Sequence, residues 1–194
     1  GCASTPNPTL SLGSSVYSGA NAGLVVGRTI ATNDRWIGHR GLRLWFRNTE
    51  TNEIFSTSSG IVGYTSFEHF AIWLPPGTYT LAGIFAYNGS LGPVSEPLKL
   101  SVEKGTSTYV GTLVMSWEIP KDIEKLGRPV SIKQHGRLQC PSFFACDVFA
   151  PNPGIVDKPF ADVAIFDEGA AFLEGLKAEV PQLPPIPFKT GLMR

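Results

Sequence analysis

The side chains best suited to nucleophilic, acid–base or metal chemistry are few: His39, His69 and His135, and Cys2, Cys140 and Cys146. A metal centre needs ligands at spacings that bring them to one face, such as HxH or HExxH, and no two of these histidines stand so. Glu68 and His69 are neighbours in an apolar run. In an extended strand adjacent side chains point to opposite faces, so they are not a pair. His135 and Asp147 flank the stretch "CPSFFAC", but its five-residue gap is wider than the knuckle of a structural zinc site, and no second cysteine pair exists. No G-x-S-x-G elbow occurs; in "NGSLG" the serine is one place out of register. No glycine-rich loop follows a strand and opens a helix to cradle phosphate. A hydrolase site assembled from distant residues stays open as a third functional reading. The expectation is a protein that is not an enzyme and holds no metal or cofactor.

Binding chemistry is better represented. In "GLRLWFR" Arg43, Trp45 and Arg47 share the polar side of an alternating run, an aromatic between two cations. Trp and Arg are favoured anchors, so this face suits a glycan, peptidoglycan or a partner protein. The structural alternative is that the Arg stems or the C-terminal helix cover Trp45, since large aromatics are mostly buried. Trp36, in the loop "NDRWIGHRG", is the next candidate, whereas Trp73 and Trp117 read as core.

Lys+Arg and Asp+Glu both number 16, so the chain lacks the basic footprint of a nucleic-acid binder. Charged residues make up only 16%, well under the usual quarter, beside 21 Gly and 16 Pro. Low charge with many turn formers and short apolar runs marks all-β extracytoplasmic domains. No apolar run approaches the roughly 18 residues of a membrane-spanning helix.

The opening "GCASTPNPTL" places a small residue before Cys2 and small residues after it. Gly1-Cys2-Ala3-Ser4 resembles the cleavage site of bacterial lipoproteins, in which the cysteine becomes the lipid-bearing N-terminus. The resemblance implies a mature chain held at a membrane through lipid on Cys2, on the periplasmic or cell-surface side. Each buried methylene contributes about 0.8 kcal/mol, so two or three acyl chains suffice as an anchor. Thr5-Pro6-Asn7-Pro8-Thr9 suits a stiff spacer, giving a tether over residues 1–14. With Cys2 so used, Cys140 and Cys146 are left as an even pair, and an oxidising compartment favours a disulfide over a metal site.

The elements that would position these residues read as strands. Leu24, Val26 and Ile30 share one face of 23–32, broken by Arg28. Leu42, Leu44 and Phe46 oppose Arg43, Trp45 and Arg47, and "NTETNE" turns this run into "IFSTS" as a hairpin. "FEHFAIWL" is apolar on both faces. Pro75-Pro76-Gly77 forces a turn into the strand 78–87, which reads as covered on both sides, with Tyr79, Leu81, Phe85 and Tyr87 opposite Thr80, Ala82, Ile84 and Ala86. Gly83 leaves room there for an aromatic. Leu98, Leu100 and Val102 alternate, Lys104-Gly105 turns, and Tyr109, Leu113, Met115 and Trp117 share the next face. Strands every ten residues or so, joined by short turns, point to a sandwich.

"LPPGTYTL…AY" with "LKLSVEKGTSTYVGTL", over roughly residues 66–117, resembles the Pro-Gly-x-Tyr strand and its partner in small immunoglobulin-like or transthyretin-like sandwiches of secreted bacterial lipoproteins. That resemblance implies a mainly β, antiparallel β-sandwich and an envelope address, without an activity. Further strands are expected in "PVSIKQHGRLQC" and over Phe160–Phe166. One amphipathic helix follows, capped by Asp167, striped by Phe172, Leu173, Leu176 and Val180, and ended by Pro181. The domain then spans 15–180, and 181–194 is a proline-rich tail. Its "LPPIPF" suits a partner's aromatic groove, or lies across its own domain. The expected function is a lipid-anchored, non-catalytic envelope protein with a scaffolding or protein-interaction role. Its partners are the membrane, an envelope protein and, as the second reading, a glycan bound by surface aromatics; nucleic acid is excluded.

Overall fold

The computed structural model describes residues 21–32, 37–38, 42–57, 69–86, 89–91, 97–116, 126–135, 161–179 and 187–194. In chain order the elements are β1 (Gly23–Thr32), β2 (Ile37–Gly38), β3 (Leu42–Asn48), β4 (Ile54–Ser56), β5 (His69–Leu74), β6 (Gly77–Ala86), β7 (Gly89–Leu91), β8 (Lys99–Val102), β9 (Ser107–Ser116), β10 (Ser131–His135), β11 (Ala161–Phe166), α1 (Gly169–Glu179) and β12 (Phe188–Thr190). A seven-stranded sheet runs β10-β11-β9-β1-β2, with β5 also on β1 and β12 also on β9. A five-stranded sheet runs β4-β3-β6-β7, with β8 also on β6. The protein is mainly β, built of two sheets and one short helix.

The two sheets share one core. Val25, Phe70, Ile72, Val110 and Leu113 of the first meet Leu44, Phe46, Tyr79, Leu81 and Leu100 of the second. The opposite face of the central strands β1, β5 and β9 is covered too. There Leu24, Val26, Trp73 and Tyr109 pack under Phe172 and Leu176 of α1. β1 and β5 are therefore apolar on both faces because both faces are dry. Trp73, read as core, is 6% exposed.

The expected antiparallel arrangement holds only in part. β1 and β9 pair in parallel, Leu24 opposite Ser107 through Thr32 opposite Ser116. β12 also lies parallel to β9. Parallel strands need a long crossover. Here the crossover from β1 to β9 contains the whole second sheet.

Two bulges overturn the expected side-chain parity. On β6 the register against β3 slips, so that Trp45 faces Gly83 while Phe46 faces Leu81. Ala82 is the extra residue, and Ile84 thereby joins Tyr79 and Leu81 in the shared core instead of opposing them. The outward face of β6 is not covered as the sequence suggests: Thr78 is exposed and Thr80 half-buried. On β9 the register against β1 slips between Val26 and Arg28. Gly111, at φ 102°, takes up the irregularity. Tyr109 consequently points under the helix while Leu113 points between the sheets, so the face expected for both is split.

Residues 187–194, read as a tail, are built into both sheets. Phe188–Thr190 pairs with β9, and Met193, fully buried, enters the shared core. Arg194 and Lys99 exchange both backbone hydrogen bonds, at 3.3 and 2.8 Å, which ties this segment to the second sheet.

The Gly111 position carries a direct test. A Cβ there would sit 2.6 Å from Ile165 Cγ2, on a backbone that L residues rarely adopt. Gly111→Ala is expected to lower stability by about 2–4 kcal/mol, the sum of strain and overpacking. Gly105→Ala, at φ 69° with nothing within 4 Å, should cost about 1–2 kcal/mol. Urea midpoints of the two variants measure the difference.

Candidate functional site

The second sheet presents its outward face to solvent, and register builds that face residue by residue. Across one row Ile54 (β4) lies opposite Arg47 (β3), Arg47 opposite Thr80 (β6), and Thr80 opposite Lys99 (β8). In the next rows Ser56 lies opposite Trp45, Trp45 opposite Gly83, and Thr78 opposite Ser101. Arg47, Ser56, Thr78, Lys99 and Ser101 are exposed, Ile54 is 48% exposed, and Trp45 and Thr80 are half-buried. The alternation in β3 that buries Leu44 and Phe46 turns Trp45 and Arg47 outward. The β3–β4 turn is set by Asn48, whose Oδ1 accepts from the backbone N–H of Glu50 at 2.8 Å and of Thr51 at 3.0 Å. This Asx turn fixes the β4 register and so the place of Ile54 and Ser56.

Among the proposed surface residues, Trp45 and Arg47 thus lie together on one face. Arg43 is at the start of β3, opposite Phe85, but its side chain lies outside the described residues, as does Trp36. Cys2, Cys140, Cys146, His39 and Trp117 also lie outside them. Trp45 is not under the C-terminal helix, which covers the other sheet. Lys99, Thr80 and Ile54 were missed, because cross-strand neighbours distant in sequence leave no local signal.

Beneath α1 lies a second polar group, formed where Arg28 breaks the apolar face of β1. Arg28 is opposite His69 on β5 and opposite Thr112 on β9. Its Nη1 donates to Glu168 Oε1 at 2.8 Å, and the other carboxylate oxygen of Glu168 accepts from the Thr112 hydroxyl. The Glu168 backbone N–H donates to the Tyr109 hydroxyl at 3.0 Å, and that hydroxyl donates to the Phe166 carbonyl at 3.5 Å. Asp167 caps the helix, its Oδ1 accepting from the Gly169 N–H at 3.0 Å. The Tyr109 ring stacks on Phe172 at 4.2 Å, and His69 meets Phe172 edge-on at 5.3 Å. Gly175 lies over His69, where a Cβ would come to 3.5 Å of its ring. These contacts dock the helix onto the sheet. Among the described residues no three His, Cys, Asp or Glu gather as a metal site.

No helix among the described residues is long and apolar enough to cross a membrane. No protein-family model matches the chain, and no curated protein matches it. Among solved structures, part of a leucine-rich repeat protein from Bacteroides thetaiotaomicron is similar, with 12% identity and a TM-score of 0.30. That similarity covers 49% of this chain and 14% of the other.

Burial raises the Tyr109 phenol above the ordinary tyrosine value, against the smaller opposing effect of the Glu168 N–H it accepts. The neutral phenol therefore belongs to the folded state. Its contribution is fully present below about pH 10 and is lost as pH rises through the folded value. Tyr109→Phe is expected to cost about 1–2 kcal/mol at neutral pH, since the Glu168 N–H loses its acceptor. It should also flatten the fall in denaturation midpoint above about pH 10. Denaturant titrations at pH 7 and pH 10.5 check both.

Proposed function

We propose that this protein is a lipid-anchored, non-catalytic binding domain of a bacterial envelope, on the periplasmic or cell-surface side. It works by presenting the outward face of the second sheet to a partner. The observation that carries the reading is asymmetry of burial: β1, β5 and β9 at the centre of the first sheet are covered on both faces, while β3, β4, β6 and β8 turn exposed cations, hydroxyls and Ile54 to solvent. The Gly1-Cys2-Ala3-Ser4 opening supports the anchor. A lipid on Cys2 would hold the face near one layer and raise its local concentration there.

The finer fold reading is an immunoglobulin-like sandwich. Its support is Tyr79, a fully buried ring at the start of β6 whose hydroxyl donates to the Pro75 carbonyl at 2.7 Å. It stands where the chain crosses from the first sheet to the second. A tyrosine corner of this kind marks Greek-key sandwiches. Packing of His69 between the sheet and α1 supports the non-catalytic reading over a hydrolase.

Intact mass of the protein extracted from its native membrane should exceed the polypeptide mass by two or three acyl chains with their glyceryl linker, and lose that excess in Cys2→Ala. An unmodified Cys2 would remove the anchor. A photo-crosslinking residue at Thr80 should trap an adduct in the native envelope, and one at Lys177 on α1 should not. Equal trapping at both positions would remove the face as the working surface.

A further inference from the structure

We infer that residues 187–194 are an exchangeable strand: the segment leaves its seat in its own domain and takes the same seat in a second copy of this chain, giving a reciprocal dimer. The seat runs from the first half of β9 to β8. The Ser107 N–H donates to the Pro187 carbonyl at 2.8 Å, the Gly191 N–H to the Tyr109 carbonyl at 2.9 Å and the Met193 N–H to the Val110 carbonyl at 3.1 Å. Arg194 and Lys99 then close the run on the second sheet. Of the eight residues Met193 alone is fully buried, set in the shared core. Main-chain bonds plus a pocket for a side chain are how a sheet edge takes an added strand. This seat selects the sequence it already holds, and a second copy carries the same sequence. At the rim Lys189 Nζ stands 2.5 Å from Glu103 Oε1, and both side chains reach solvent, so the pair guides the segment without locking it.

Two features loosen the seat. Ser107, opposite Phe188, and Thr108, opposite Lys189, are fully buried, and their hydroxyls find no hydrogen-bond partner among the described residues. The segment lies directly on Thr108: a Cβ at Gly191 would come to 2.7 Å of its Cγ2. A buried hydroxyl without a partner has forfeited its water, and lifting the segment opens this edge of β9 to water again. The connector is the second feature. From the end of α1 at Glu179 to the segment the sequence reads VPQLPPIP, four prolines in eight residues. Proline-rich sequence favours extended, semi-rigid backbone, which resists turning back on itself and reaches a neighbour's seat as readily as its own. β12 lies parallel to β9, so no hairpin turn ties the two strands together.

The test mixes equal amounts of light and heavy-nitrogen-labelled full-length protein at high concentration. The mixture is warmed below the unfolding midpoint, returned to native buffer and separated by size. A zero-length carbodiimide then joins Lys189 to Glu103 through their ion pair, and mass spectrometry reads the joined peptides. In the dimer about half of these pairs should be mixed, one peptide light and one heavy, as random assortment into a symmetric dimer gives. In the monomer every pair should be unmixed. Thr108→Val removes one unpartnered hydroxyl at nearly constant shape, so mixed pairs should appear about tenfold more slowly than in wild type. Exchange is overturned if no dimer forms, or if the dimer holds only unmixed pairs, which would mean that copies associate through another surface. It is overturned equally if Thr108→Val gains mixed pairs as fast as wild type.

Discussion

The parallel pairing of β1 with β9 is the constraint on which the other elements depend. Both strands are covered on both faces, and each carries two further neighbours along its length. β5 and β2 share the free side of β1, and β12 and β11 share the free side of β9. The second sheet packs on one face through Val25, Val110 and Leu113. The helix packs on the other through Leu24, Val26 and Tyr109. Burial of this kind is non-directional, so specificity comes from close approach. Gly27 shows it: a Cβ there would lie 2.5 Å from the Phe70 ring and 2.9 Å from the Gly111 carbonyl. Only a bare backbone lets β5, β1 and β9 meet at this point.

Doubly covered strands leave little room for charge, and Arg28 stands on one of them, β1. Its side chain is 24% exposed and that of its partner Glu168 12%. Breaking such a pair strands a charge in a poorly solvated place, which costs more than the pair itself contributes. Thr112 and Tyr109 complete the set, so the carboxylate and the first turn of α1 are held in one orientation. Helix docking and strand register are thereby coupled: the bulge at Gly111 is what turns both Tyr109 and Thr112 toward Glu168.

Much of the local structure was legible in the chain. The β3–β4 hairpin followed from strict alternation broken by a run of turn formers. The helix followed from its stripe and its Asp167 cap. Glycine 83 opposite an aromatic was expected, although not that the aromatic would be Trp45. Parity beyond a bulge was not legible. Nothing in "LAGIFA" tells that Ala82 is the extra residue, and one such residue flips every side chain after it. Pairings between distant segments were equally hidden. Arg28 and Glu168 stand 140 residues apart, so the sequence displays an interrupted apolar face without its remedy. The row Arg47–Thr80–Lys99 spans three strands and exists only after folding. The closing segment reads as proline-rich, to dock on a partner or to lie across its own domain; residues 187–194 lie on the domain, and that Met193 fills the core leaves no local signal.

The central claim is that contact with the envelope is made by the outward face of the second sheet and not by the helix side of the first. Hydroxyl-radical footprinting of the protein in its native envelope, compared with the purified protein, tests it most directly. The account predicts that oxidation of Trp45 and Ile54 falls in the envelope, while Leu173 and Leu192 on the helix side keep their solution rates. Protection of Leu173 and Leu192 with Trp45 and Ile54 unchanged would contradict it.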